Sequence, residues 1–158
     1  FSIRGEGIAS ISPSAGSFFS TLFHMFIPYP GGVGTLLVES SFVEHSPGYL
    51  LVAQWSPTFS LLGLDTQQNT FIDHGLIDTI GTSQDVAIEP RGASYPRIVY
   101  IRAASANKGS LYQKDSSSSP PQFLADVVLD QSRIHSLFLR DNAIYLSTRG
   151  RLLKYTCS

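Results

Sequence analysis

Cysteine is almost missing from this chain: Cys157, next to the C-terminal end of the sequence, is the only one, so no disulfide can close within the 158 residues. That thiol is expected either to stay free in a reducing compartment or to supply one half of an intermolecular disulfide. Charge is scarce too, at 15% of residues against roughly 25% in an average soluble protein. Eleven basic residues nearly cancel twelve acidic ones, for a net charge of −1, and the one modest basic cluster is "RGRLLK" at 149–154. No field of one sign is available to attract a polyanion, so nucleic acid is not an expected partner. Long apolar runs are lacking as well. The most apolar stretch, "FFSTLFHMFIPYP" at 18–30, contains His24 and stops at Pro28, short of the roughly 20 residues that cross a bilayer as a helix. No N-x-[ST] glycosylation site occurs, and the sequence opens on Phe1 rather than Met. That opening fits a processed chain, a proteolytic piece or a part of a longer polypeptide.

What the chain does have is β-forming material: 42% hydrophobic residues, including 10 Phe and 7 Tyr, interrupted often by 13 Gly and 9 Pro. Short runs rich in β-branched and aromatic residues, bounded by turn formers, predict many short strands. "GTLLVESSFVEH" (34–45), "GYLLVAQW" (48–55), "SLLGLD" (60–65) and "NTFIDHG" (69–75) read as four successive strands. "QDVAIEP" (84–90), "RIVYIRA" (97–103), "SLYQKD" (110–115) and "QFLADVV" (122–128) repeat the order. A third pass runs through "RIHSLFLRDN" (133–142), "AIYLST" (143–148) and "RLLKYT" (151–156). "IRGEGIASIS" and "FSTLFHMFIP", near the start, also read as strands. Leu51, Val99 and Ile144 take equivalent second-strand sites in this alignment, and Leu61, Leu111 and Leu152 equivalent third-strand sites. Their spacing falls in the roughly 40–50 residue range of propeller blades. The predicted fold is therefore all-β: consecutive four-stranded antiparallel meanders over 34–77, 84–129 and 133–158, forming a partial β-propeller of about three to four blades. A β-sandwich is the alternative architecture.

The passage "GSLYQKD…PPQFLAD…IHSLFLRDNAIYLSTRGRLLKYT" resembles the blade-to-blade passages of TolB-like, YWTD-like and sema-like β-propellers. Residues 133–158 in particular resemble the last blade of a sema domain, which ends in a strand followed by Cys. The resemblance covers 34–156 as a pattern and includes no YWTD or WD motif, Asp-box or PSI cysteine cluster. It implies a fold and carries no activity with it. Propellers close with 4–8 blades, so three repeats imply either completion by another chain or a second copy, or a fragment of a longer propeller.

Few residues advertise chemistry. "PGGVGT" at 30–35 lacks both the following helix and the Lys of a phosphate-binding loop, and reads as a turn between strands. The four histidines, His24, His45, His74 and His135, are scattered without metal-ligand spacing, and no GxSxG elbow is present. Neither a metal nor a cofactor is expected. Asp73, Asp78, Asp85 and Glu89 cluster in sequence and could supply a carboxylate pair for a propeller-scaffold hydrolase or lyase. Loops between blade strands are where propellers bind. The richest of these, "EPRGASYPR" at 89–97, offers Arg91, Tyr95 and Arg97, with Trp55 ending a strand and His74 beside Asp73. Tyr, Trp and Arg are the residue types of hot spots and stacking platforms. "KDSSSSPPQ" at 114–122 reads as a polar, mobile hairpin loop. The functional expectation is a non-catalytic, extracellular interaction module that binds another protein chain, a second copy of itself or a glycan.

Overall fold

The computed structural model describes residues 2–3, 7–13, 21–28, 36–37, 43–56, 59–79, 83–105, 108–128, 136–148 and 150–156. Among these residues every regular element is a β-strand and every strand pairing is antiparallel. No helix long and apolar enough to cross a membrane occurs among them. The first sheet is β1 (Ser2–Ile3), β2 (Gly7–Pro13) and β3 (Thr21–Pro28). The second comprises β4 (Leu36–Leu37), β5 (Val43–Ser46), β6 (Tyr49–Ser56), β7 (Phe59–Asp65) and β8 (Thr70–Asp78). The third is β9 (Ser83–Arg91), β10 (Ser94–Ser105), β11 (Lys108–Lys114) and β12 (Gln122–Val128). The fourth is β13 (Ser136–Arg140), β14 (Ala143–Thr148) and β15 (Arg151–Thr156).

The expected all-β class and the repeated meander are both present. Two local readings change. The strand expected over 34–45 is two short pieces, β4 and β5, lying along the same edge of β6. The "DN" at the end of "RIHSLFLRDN" is a turn rather than strand: Asp141 and Asn142 have φ of 50° and 61°, the left-handed pair that a two-residue hairpin loop requires.

Alternation explains the stacking. In β9 and β10, Val86, Ile88, Ile98 and Tyr100 pack against Leu51, Ala53, Phe59, Leu61 and Ile77 of the second sheet. Their neighbours Ala87, Val99 and Ile101, with Leu111 and Val127, pack against Leu137, Ile144 and Leu146 of the fourth. A strand buried on both faces needs apolar residues at consecutive positions, which is why "VAI" and "IVYI" run unbroken. Each fully buried large side chain here contributes about 1.5–3 kcal/mol. Edge strands of successive sheets also meet, β5 against β9 and β9 against β13. Asp85 ties the second of these junctions. Its Oδ2 accepts the Leu137 N–H at 2.6 Å and its Oδ1 accepts the Val86 N–H at 2.9 Å.

The stacking also corrects one alignment. Leu51 and Val99 face the sheet that follows, whereas Ile144 faces the sheet before it. Cross-strand register pairs Ala53 with Leu61, Ile101 with Leu111 and Ser147 with Leu152, so the residue equivalent to Leu51 and Val99 is Tyr145. A one-residue slip exchanges the two faces of a strand.

Candidate functional site

Between the second and third sheets, at the end where their hairpin turns project, lies a cavity of about 510 Å³. The second sheet contributes His45, Tyr49, Leu51, Leu61, Asp73 and His74 to its wall, and the β9–β10 turn contributes Ala93, Ser94, Tyr95 and Pro96. Ser117, from the serine-rich β11–β12 loop, completes it.

The local folding of each wall follows from turn and bulge chemistry. His45 and Tyr49 flank a tight turn in which Gly48 has φ of 80°. Thr66 fastens that turn to the β7–β8 turn, its N–H and its hydroxyl each donating to the Gly48 carbonyl at 2.9 Å. On β8 the register shifts between the pairs Ser60–Leu76 and Leu62–Asp73, so one extra residue bulges there. Asp73 Oδ1 accepts the Gly75 N–H at 2.7 Å, and Gly75 takes φ of 94°. Bulges re-aim side chains, and this one sets His74 beside Tyr49, with Tyr49 Oη 2.7 Å from His74 Nε2. Three rings then run in a row: His45 and Tyr49 meet edge to face at 6.0 Å, Tyr49 and His74 at 6.2 Å. The Tyr49 ring crosses β7 at Gly63, where a Cβ would fall on its hydroxyl and ring carbon and within 2.7 Å of His74 Nε2.

Two polar atoms in this wall stand out. His45 Nδ1 and Tyr95 Oη are buried, and neither has a hydrogen-bond partner among the described residues. Burial pushes the Tyr95 phenol up to about 12. Burial, with the Asp65 charge, raises Tyr49 as well. Both shifts are the reverse of the depressed pKa that makes a nucleophile or general base. Tyr100 and Tyr155 are also raised, chiefly by burial.

These shifts carry a pH prediction. A phenol whose folded pKa lies above its unfolded value near 10 holds a proton that the unfolded chain releases. The stability it contributes is complete below pH 10 and is lost as pH rises through the folded value. The urea midpoint is therefore expected to be level from pH 8 to about 9.5 and to fall progressively above pH 10. Tyr95→Phe should make that fall shallower.

The sequence-derived candidates distribute unevenly. Tyr95 and His74 come together in the cleft wall. Arg91 ends β9, exposed, and does not line the cleft. Arg97 is 2% exposed, its Nε donating to Gln113 Oε1 at 2.9 Å and its Nη1 lying 3.7 Å from Glu89. It braces β9, β10 and β11 from within. Trp55 lies in β6 and His24 in β3, with side chains outside the described residues, as are His135, Cys157 and "PGGVGT". The four carboxylates separate: Asp73 in the cleft, Asp78 between sheets, Asp85 toward β13 and Glu89 beside Arg97. The serine-rich loop is tied back by Lys114, whose Nζ donates to the Ser119 carbonyl at 2.6 Å. No group of three or more His, Cys, Asp or Glu among the described residues is placed to hold a metal ion. In the sequence His45 is one of four scattered histidines and Tyr49 one of seven tyrosines, neither marked by a motif. The signal that points to both is Gly63, since glycine inside a strand marks close approach by another group. No protein family, curated protein or solved structure matches the chain.

Proposed function

We propose that this chain is a non-catalytic, extracellular binding module. Its sheets are successive blades of a β-propeller completed by another protein chain or a second copy, and its ligand site is the cleft between the second and third sheets. The observation that carries the binding reading is the cavity itself, about 510 Å³ and walled by His45, Tyr49, His74 and Tyr95. Binding is favoured over turnover because Asp73 is the only carboxylate residue lining the cleft among the described residues, which leaves it without a carboxylate pair for acid/base work.

Support for the blade reading comes from the third sheet, which is covered on both faces; a two-sheet sandwich leaves each sheet one open face. The meeting of β5, β9 and β13 is how blades converge on a central axis. The far face of the fourth sheet supports completion by a partner. Phe138 and Tyr145 stack there at 4.9 Å, with Phe138 41% and Leu152 65% exposed. A second copy or another chain stacking on this face covers them.

A fragment library screened by protein-detected NMR tests the binding reading. Fragments are expected to shift His45, His74 and Tyr95 together; a library whose hits all fall elsewhere, or that gives none, would falsify it. Size-exclusion with light scattering tests completion. An assembly larger than one chain is expected, reduced to a monomer by Leu152→Glu, and a wild-type monomer at all concentrations counts against it.

A further inference from the structure

We infer that the cleft takes an organic cation, the methylated ammonium head of a small molecule, held against the rings of Tyr49, His74 and Tyr95 with Asp73 as its counter-charge. The inference rests on the reading of this cleft as a ligand site and narrows what the ligand is.

The aromatic wall keeps its polar tips to itself. Tyr49 Oη and His74 Nε2 lie 2.7 Å apart and are joined to each other, while Tyr95 Oη and His45 Nδ1 are sealed inside the protein. What these residues offer a ligand is therefore mostly ring surface, and the face of an aromatic ring is its negative side. His45 meets Tyr49 at 66° and Tyr49 meets His74 at 76°. The row thus turns ring faces in more than one direction, as a cage around a rounded cation does.

Charge points the same way. Among the described residues no Lys or Arg lines the cleft, and Asp73 does. Asp73 Oδ1 accepts the Gly75 N–H, and Oδ2 has no hydrogen-bond partner among the described residues. The Tyr49 phenol is raised by burial and then by the Asp65 charge, so a second carboxylate acts on the same wall. Arg97 is engaged with Glu89 and Gln113, and Lys114 with the Ser119 carbonyl. An anion entering the cleft meets like charge with no cation in the wall to pair it. A cation exchanges water for ring faces and a carboxylate.

Methylation follows from counting donors. A primary ammonium brings three N–H groups, and beside the rings the open carboxylate oxygen of Asp73 takes only part of them, leaving the rest unpaired on burial. A fully methylated head brings none. At about 510 Å³ the cavity lies within the roughly 300–1,000 Å³ range of small-molecule sites, so it has room for more than the head alone.

The test is an NMR titration of the whole chain with choline, with ethanolamine, and with the uncharged isostere of choline in which a tert-butyl group replaces the trimethylammonium. Choline is expected to shift Tyr49, His74 and Tyr95, with the isostere and ethanolamine each about tenfold weaker or more. Asp73→Asn keeps a carbonyl oxygen for the Gly75 N–H and removes the charge, and it should weaken choline by about tenfold. An isostere that binds as tightly as choline, or choline binding indifferent to Asp73→Asn, overturns the cation. Ethanolamine binding as tightly as choline overturns the methylated head. Shifts in the cleft from the isostere or the fragment library but none from choline overturn the inference while leaving a ligand cleft standing. If neither choline nor the fragments reach the cleft, both readings fall together.

Discussion

Replacing Asp78 with alanine is expected to destabilise the protein by about 3–5 kcal/mol, the range seen when one partner of a buried ion pair is removed. Asp78 ends β8 in the second sheet and is 6% exposed. Its Oδ2 accepts from the Tyr100 hydroxyl, from Arg102 Nε at 2.9 Å and from Arg102 Nη2, all on β10 of the third sheet. One carboxylate therefore collects three donors across the boundary between two sheets. Its loss strands a phenol on a fully buried side chain and leaves a largely buried guanidinium without its counter-ion. Arg102 cannot simply swing to water, because it lies over the Tyr112 ring at 4.3 Å, and Tyr112 in turn stacks on Tyr100 at 5.7 Å. Asp78→Asn keeps an acceptor but not the charge, so about 1–3 kcal/mol is expected there. Urea unfolding followed by tyrosine fluorescence reads both variants, with the m-value unchanged if the native and unfolded states keep their compactness. A cost for Asp78→Ala below about 1 kcal/mol would mean that the pair is solvated and that apolar burial alone joins the two sheets. A double-mutant cycle with Arg102→Met isolates the pairwise part.

Why Asp78 escaped notice as a structural residue is instructive. In sequence it sits among Asp73, Asp85 and Glu89 and looks like one of a set of acids. Its partners lie more than twenty positions away, in a different sheet. Strand formation is legible locally, because period-2 alternation and turn residues are properties of short windows. The runs "VAI" and "IVYI" even reveal that β9 and β10 are covered on both faces. Which carboxylate meets which donor depends on how sheets stack, and stacking leaves no fixed spacing. Arg97 illustrates the same limit: at the end of "EPRGASYPR" it reads as a loop side chain of hot-spot type, but its partners Glu89 and Gln113 are set by cross-strand register and its place in β10. Tyr95, two residues earlier, sits where the β9–β10 turn meets the second sheet, and a turn position is something a sequence can show. The Ile144 alignment failed by one residue for a related reason. Bulky residues with apolar surface occupy both faces of β14, Ile144 and Leu146 on one side and Tyr145 on the other, so composition alone does not tell the faces apart.

The cleft rests on one of the positions where the repeat departs from itself. "SLLGLD" and "SLYQKD" align residue for residue and by register, with Gly63 opposite Leu51 and Gln113 opposite Val99. Gly63→Ala is expected to destabilise the protein by about 1–3 kcal/mol, the cost of overpacking, and to break the contact between Tyr49 and His74. The opposite sign would follow from backbone considerations alone. The φ of Gly63 lies outside the left-handed region, and alanine at such a strand position recovers about 0.4–1 kcal/mol of chain entropy. The contact decides the sign, because the new methyl would occupy the place of the Tyr49 hydroxyl and ring carbon, and Tyr49 is held from both sides by His45 and His74. The decisive measurement is therefore made in a second background. In Tyr49→Ala the two nearer contacts are gone and only the tip of the His74 ring, at 2.7 Å and released from its Tyr49 partner, has to shift, so adding Gly63→Ala there should cost little, a coupling of about 1–3 kcal/mol between the two positions. Gly75→Ala supplies the contrast: no atom lies within 4 Å of its Cβ position, but its φ of 94° strains any side chain, so its cost should persist whatever occupies position 49. Equal costs for Gly63→Ala with and without the Tyr49 ring would show that the glycine is not there to let that ring pass. The Tyr49–His74 wall of the cleft would then need another explanation.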